Sequence, residues 1–444
     1  MTELSNPKII RAWCMYDWAN SVYNLVITTT FFPIYFAAIT VAAYGDHVPF
    51  LGRTFKSSSL YDYSLAFAYF IITLILPVLS SIADSQGNKK KFMQFFCYLG
   101  GLSCIGLFWF KGETPNVTLA IVCFMLAAVG YIGSLVFYNS YLPDIAKPED
   151  RDRVSAQGYS MGYIGSVILQ IIGFGLVLYF SGHGDQTSGP RYTFLLVGLW
   201  WIGFAQFTFA YLPTQKSINR SGAGFLTDGF KELEKVWQQV KQLTVLKWFL
   251  CAFLFYSMGV QTVMLVATLF GKEVLGLPAD KLIITIVLIQ LVAIPGSMLM
   301  SRLSGVFGNL SVLLGVVMVW VVICVATYFV TSYKENGGDV EFYFYGLAVA
   351  VGLVMGGIQS LSRSTYSKLM PETKDSASFF SFYDVTEKIA IVLGIFSFGY
   401  IDEIFGMKNS ILVLIVFFAL GLIALFVARN KNKKYRLLQQ SANL

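Results

Sequence analysis

Long apolar runs recur along this chain, each close to the length that crosses a bilayer, with short polar turns between them. A helix needs about 20 apolar residues to span about 30 Å of hydrocarbon. On that measure the pattern predicts spans over Trp13–Thr40, Ser59–Ala83, Phe92–Phe110, Thr118–Leu142, Ser155–Phe180 and Tyr192–Leu212. A polar stretch over Pro213–Thr244 follows. The later runs are Leu243–Phe270, Leu282–Leu303, Leu310–Ser332, Glu341–Leu369, Ser381–Glu403 and Asn409–Arg429. In Leu243–Phe270 and Ile411–Ala428 the apolar positions cover the whole helix circumference. A helix lying on a soluble core would be apolar on one face, and a membrane barrel would alternate. The chain therefore reads as an all-α membrane protein of twelve transmembrane helices. Its expected organisation is a six-helix bundle over 1–212, a cytoplasmic linker over 213–244, and a second six-helix bundle with a basic tail over 245–444.

Inside the linker, Leu226, Phe230, Leu233, Trp237 and Val240 recur at three- and four-residue steps, with Lys231, Glu232, Lys235 and Lys241 between them. That spacing predicts an amphipathic helix lying on the membrane surface. A merely solvated tether is the alternative.

Composition narrows the picture. Of 444 residues, 56% are hydrophobic and 13% charged, against roughly 45–50% and 25% in soluble domains. Twelve spans with short loops use up the length, so no large extramembrane domain is expected. The six cysteines fall inside predicted spans without a CxxC pair, so neither a disulfide framework nor a zinc site is expected. Met1–Arg11 leads into a full-length span with no small-residue cleavage site, so no cleavable signal is expected. The net charge of +7 is a topology signal: Lys89–Lys91, Lys147, Arg151, Arg153, Arg363, Lys368, Lys374 and the tail all fall on one side. By the positive-inside rule that side is cytoplasmic, with both termini on it, in the plasma or inner membrane of the cell. No nucleic-acid partner is needed to account for the charge.

Candidate chemistry lies where polar groups interrupt the runs. A charged side chain in mid-membrane costs about 2.5–3.5 kcal/mol, so it faces a partner or a wet cavity. Span one reads Tyr16-Asp17-Trp18-Ala19-Asn20-Ser21-Val22-Tyr23-Asn24, with Asp17, Asn20 and Asn24 on one face. Asp17 also lies near the cytoplasmic end, where capping would account for it, so a functional and a structural reading both stand. Asn24, Thr28, Asn139 and Gln261 are candidates for lining a solute site at the midplane, joined by Gln359 and Arg363 nearer the cytoplasm. Gln170 and Gln290 are further mid-span polar groups. Asp384 and Lys388 stand at i,i+4 and are expected to pair across one turn, keeping Asp384 ionised and structural. Glu387 has no local cation but Lys388. Arg363 with these carboxylates forms a gate, a proton site or a structural tie. Both histidines, His47 and His183, fall outside the spans, so coupling to protons would run through carboxylates. Asp17, with no cation in its own turn, is the expected coupling group.

Ser80–Lys90 reads SSIADSQGNKK, which resembles the major facilitator signature GxLaDxxGxKK with Ser80 in place of the leading glycine. The resemblance implies that Asp84 sits against the start of span eleven, near Ser378–Ser381. The second-half counterpart, Ser301–Asn309, has Gly305 where an aspartate would be, so an asymmetric lock is expected. Gly158, Gly162 and Ser166 on span five, and Ser297, Ser301 and Gly305 on span eight, mark close helix contacts. Three longer strings are more specific: WCMYDWANSVYNLVITTTFFPIYF at the start, FYNSYLPDIA with RVSAQGYSMGYIG, and GGIQSLSRSTY leading to FFSFYDVTEK. Together they resemble the "unknown major facilitator" family, which includes the autophagy-related vacuolar effluxers. That resemblance implies a facilitator fold and, for the fungal vacuolar members, amino-acid efflux.

The leading function is thus a secondary active transporter. It would move a small polar solute by alternating access, surrounded by membrane lipids, with protons as the coupling ion and no cofactor, as a monomer. A receptor or scaffold of the same fold that has lost transport is the alternative. No HExxH, no polar GxSxG and no intramembrane histidine supports an enzyme. The candidate coupling or gating groups are Asp17, Asp84, Asp384, Glu387 and Lys388.

Overall fold

The computed structural model describes residues 4–45, 47–112, 114–214 and 225–442. Part of the predicted linker, 215–224, lies outside them. The chain is almost entirely helical: α1 (Pro7–Tyr44), α2 (Ser57–Gln86), α3 (Lys89–Trp109), α4 (Val117–Ile145), α5 (Arg151–Gly182) and α6 (Ser188–Tyr211) come first. Then follow α7 (Phe225–Gln242), α8 (Thr244–Glu273), α9 (Ala279–Phe307), α10 (Asn309–Glu335), α11 (Glu341–Leu369), α12 (Ser376–Phe405) and α13 (Met407–Ala442). A short antiparallel hairpin, β1 (His47–Phe50) with β2 (Arg53–Lys56), joins α1 to α2. The hydropathy pattern carried no sign of it.

Among the described residues, eleven helices are long and apolar enough to cross a membrane. The twelfth span is α12, which has the length at 30 residues but carries Asp384, Glu387 and Lys388 in its first half. The described chain is thus all-α, its spanning helices gathered in two compact units. The amphipathic segment of the linker is helical as α7, with Val236 and Val240 buried. Trp237 of α7 stacks on Phe382 with ring centroids 5.6 Å apart. The side chains of Leu226, Phe230 and Leu233 lie outside the described set.

Two compact units divide the chain. One holds α1–α4, α5 from Met161 onward, α6 and the segment Asp375–Ser381; the other holds Ala146–Ser160, Lys231–Lys374 and the chain from Phe382. The first turns of α5 therefore belong to the second unit, and those of α12 to the first. Inside the first unit α3 packs on α4 and α6, α1 on α6, and α2 on α4. Inside the second, α9 packs on α11, and α13 on α8 and α10.

α1 is not a uniform α-helix. Its middle, Tyr23–Phe31, is π-helical, and the stretch ends just before Pro33, whose nitrogen cannot donate to the ladder. Thr29 and Thr30 each donate a hydroxyl to the Leu25 carbonyl at 2.8 Å, which satisfies an acceptor the widened turn leaves exposed. Such π segments in helices often mark functional positions, and this one carries Asn24 and Thr28.

Candidate solute-binding site

In the first unit Asp17 is 4% exposed. Its Oδ2 accepts a 2.7 Å hydrogen bond from the Tyr138 hydroxyl of α4, and the Tyr138 carbonyl in turn accepts from Trp13 Nε1 at 2.9 Å. Thr28 and Asn139 are buried, while Asn24 is half-buried. Gln170 of α5 donates Nε2 to Thr30 Oγ1 at 2.8 Å, so its partner is a helix neighbour. Gly162 of α5 lies against Ser21 and the Asp17 carbonyl, where an added Cβ would meet Ser21 Oγ at 2.5 Å.

The turn after α2 builds a separate cluster in the same unit. Gly87 takes φ +67°, and the Asn88 N–H returns to the Ala83 carbonyl at 2.9 Å, closing the helix. That left-handed residue is what glycine permits without a Cβ penalty. Asp84 is thereby held at the N-terminus of α12. Its oxygens accept the N–H groups of Ala377 (3.2 Å) and Ser378 (2.7 Å) and the Ser378 hydroxyl (2.8 Å). The first turn of a helix offers unpaired N–H donors and a partial positive charge, so an anion is stabilised there. Lys89 bridges Asp84 (3.5 Å) and Asp144 (3.1 Å) and donates to Ser376 Oγ.

The second unit has a counterpart built differently. With Gly305 in the last turn of α9, the acid comes from α5 instead. Asp152 accepts from Ser304 Oγ (2.7 Å), Asn309 Nδ2 (2.6 Å) and Lys368 Nζ (2.6 Å). Arg151 donates to the Ser367 carbonyl near the end of α11 at 2.6 Å. Charged residues at the ends of spans five and ten were visible in the chain; their pairing across 216 positions was not.

A polar cluster inside the second unit gathers five of the predicted residues, Gln261, Gln359, Arg363, Glu387 and Lys388. Arg363 is 1% exposed. It donates Nε to Ser155 Oγ and Nη2 to the Ser155 carbonyl, both at 2.9 Å, and its guanidinium lies 4.3 Å from the Tyr159 ring centroid. Ser155 passes its own proton to the Ser360 carbonyl at 2.8 Å. On α12, Glu387 is gripped on both oxygens: Gln261 Nε2 of α8 donates to Oε1 at 2.9 Å and Lys388 Nζ to Oε2 at 2.7 Å. The ion pair of Lys388 thus runs to Glu387, not along the helix to Asp384 as the i,i+4 spacing suggested. Gln261 supplies the reason, because it turns the Glu387 carboxylate so that the second oxygen meets the ammonium. Gln359 donates to Met264 Sδ at 3.3 Å, and Tyr256 donates to Ser362 Oγ at 2.7 Å, since the serine proton is spent on the Ile358 carbonyl.

A crevice of about 10 Å³ opens among Tyr159, Tyr256, Gln261, Gln359, Tyr383 and Glu387. That volume holds about one water molecule, so a larger solute enters only when these helices part. A roomier cavity of about 100 Å³ lies among aliphatic side chains such as Ile286, Ile289 and Val351. Two of its three threonines, Thr285 and Thr327, turn their hydroxyls to their own helix carbonyls at 2.8 Å. The polar crevice is the better candidate. Sequence reasoning missed its aromatic lining and the Ser155–Tyr159 cradle, although the serine and tyrosine at the start of span five stood in the quoted strings.

Comparison with known proteins places this geometry. The sequence profile described as "Vacuole effluxer Atg22 like" matches residues 5–436. An uncharacterized MFS-type transporter of Bacillus subtilis, YxiO, is 29% identical over 419 residues, covering 93% of each chain. Autophagy-related protein 22 of Kluyveromyces lactis is 27% identical over 467 residues, covering 93% of this chain and 92% of its own. Among solved structures, a bacterial homologue of the iron transporter ferroportin superposes with TM-score 0.67 at 12% identity, over 96% of this chain and 99% of that one. The fucose:proton symporter of E. coli does so with TM-score 0.65 at 16% identity, over 95% and 98%. At these identities the structural likeness concerns the fold.

Proposed function

The chain belongs to the vacuole effluxer Atg22-like family of major facilitator transporters, and from that premise we propose that it is a secondary active transporter moving a small zwitterionic solute, amino acids first among them, across the membrane by alternating access. One observation carries the solute class. Arg363 stacks on Tyr159, and Tyr159 lines the same crevice as the carboxylate of Glu387. A guanidinium suits a solute carboxylate through a planar fork, and a carboxylate among aromatic rings suits an ammonium. Asn24, Thr28 and Asn139 remain the polar candidates of the first unit on this reading. Asp84 with Lys89 forms a gate that opens and closes around α12. Names of relatives add support: one related transporter is a proton symporter for fucose, which favours coupling to protons here.

Vesicles containing the purified protein are expected to exchange radiolabelled amino acids, tested one at a time across neutral, basic and acidic kinds. Absence of exchange with every one, in vesicles that retain folded protein, overturns the solute assignment and favours a receptor or scaffold role. The same reading places both termini and the turn Lys89–Lys91 in the cytoplasm of a cell-membrane protein. Reporter fusions at Lys91 and after Leu444 are expected to be active only on the cytoplasmic side; activity outside at either point refutes that orientation.

A further inference from the structure

We propose that Asp384 binds the proton that couples transport. The idea rests on the transporter reading above, but its test does not depend on which solute moves. Asp384 stands on α12 between Tyr383 and Glu387, which line the crevice; it is 4% exposed, and its Oδ2 accepts no hydrogen bond among the described residues. A buried polar oxygen without a partner is costly and is rare in folded proteins. The nearby cations bond elsewhere: Lys388 to Glu387 at 2.7 Å, and Arg363 to Ser155 at 2.9 Å. Glu387 differs from it in having both oxygens occupied, and Asp17 differs in holding the Tyr138 hydroxyl. Among the candidate carboxylates in the spans, Asp384 is the one with an oxygen open to a new ligand.

The charges around it explain how a proton there would be felt by the solute. The groups facing Asp384 are Arg363 and Tyr366 from α11, and Tyr383, Glu387 and Lys388 on its own helix. Two cations stand against two carboxylates. With Asp384 ionised the set is neutral; with a proton on Oδ2 it carries one net positive charge beside the crevice. A solute carboxylate is then attracted where before it was not, and by linkage the bound solute favours the proton in return. A metal ion would serve less well. Arg363 and Lys388 repel it, and no group of three His, Cys, Asp or Glu side chains placed to hold one occurs among the described residues. A proton needs only the single open oxygen.

The experiment is pH-difference infrared spectroscopy of the purified full chain in lipid nanodiscs. It follows the carbonyl stretch of a protonated carboxylic acid, identified by its shift in heavy water. The expected result is a band that titrates in the native protein, disappears in Asp384→Asn, shifts in Asp384→Glu, and persists in Asp17→Asn and Glu387→Gln. A native protein with no such band between about pH 5 and 9, a range bracketing ordinary proton-coupling groups, overturns the proposal. So does a band lost in Asp17→Asn and kept in Asp384→Asn. Should Asp384→Asn not fold, the frequency shift in Asp384→Glu decides alone. In vesicles carrying labelled amino acids, Asp384→Asn is expected to keep exchange and lose gradient-driven accumulation, which for one proton per solute reaches about tenfold per pH unit. Vesicles in which even the native protein shows no exchange would defeat the amino-acid assignment and leave the infrared band to judge this one.

Discussion

Gly356→Val is expected to abolish recovery of monodisperse protein, and Gly356→Ala alone to lower the melting temperature by several degrees. Gly356 of α11 faces the main chain of α9. A Cβ there would overlap the Ala293 carbonyl oxygen and lie 3.0 Å from its carbon. One turn earlier, a Cβ on Gly352 would come within 2.7 Å of the Ile289 carbonyl oxygen, and on the facing helix one on Gly296 would press on Leu353. The two helices approach backbone to backbone through small residues, as spanning helices do when no hydrophobic effect drives them together. Overpacking usually costs about 1–3 kcal/mol when side chains can yield. A carbonyl inside a helix cannot yield without breaking its own hydrogen bond, so the larger side chain has no cheap accommodation. Gly346 on the same helix supplies the control. Nothing lies within 4 Å of a Cβ at that position, and Gly346→Ala is expected to change stability by less than about 1 kcal/mol. Recovery of Gly356→Val, and thermal unfolding of the two alanine variants in one detergent, read the difference. Equal melting temperatures for Gly356→Ala and Gly346→Ala would show that α9 and α11 are not in backbone contact.

Arg363→Ala is expected to reduce the initial rate of solute exchange at least tenfold. A hydrogen bond involving a charged group is worth about 1.5–3 kcal/mol, and losing about 2 kcal/mol where the solute is held lowers a rate roughly thirtyfold. The substitution also leaves the Ser155 hydroxyl with only its bond to the Ser360 carbonyl and exposes one face of Tyr159. Arg363→Lys restores the charge but neither the planar fork that spans Oγ and the carbonyl nor the stack on the ring. It is therefore expected to stay well below the native rate. Melting temperature separates the two roles: a variant that unfolds at the native temperature yet fails to exchange has lost solute recognition. Native exchange in Arg363→Ala would remove Arg363 from the site and leave it a tie between the start of α5 and α11.

Asp84→Asn tests the turn after α2 with a smaller expected effect. The amide keeps one acceptor oxygen for Ala377 or Ser378 but loses the charge that Lys89 and the α12 N-terminus stabilise. Stability is expected to fall by about 1–2 kcal/mol, measured as a drop in the unfolding midpoint. An unchanged midpoint would mean that the serine hydroxyls carry that contact.

The sequence by itself determined the fold class, the number of spans and the family. The physical reason is that in hydrocarbon every backbone polar group must be satisfied within its own segment, so each span is written locally as a continuous apolar run. The turn at Gly87 was legible for the same reason: its aspartate, glycine and lysines lie within ten positions of one another. The span that composition rendered least well, α12, is the one whose charges cluster at the candidate site. Partnership across the chain was decided only in three dimensions. Arg363 and Ser155 are 208 positions apart, and Asp17 and Tyr138 are 121. No local period records such a pair, because it depends on which helices become neighbours. The Lys388 pairing shows this most sharply. Spacing along one helix favoured Asp384, yet Gln261, 126 positions away, orients Glu387 to take the ammonium. What that leaves open on Asp384 is a property of the packed helices and not of the sequence around it.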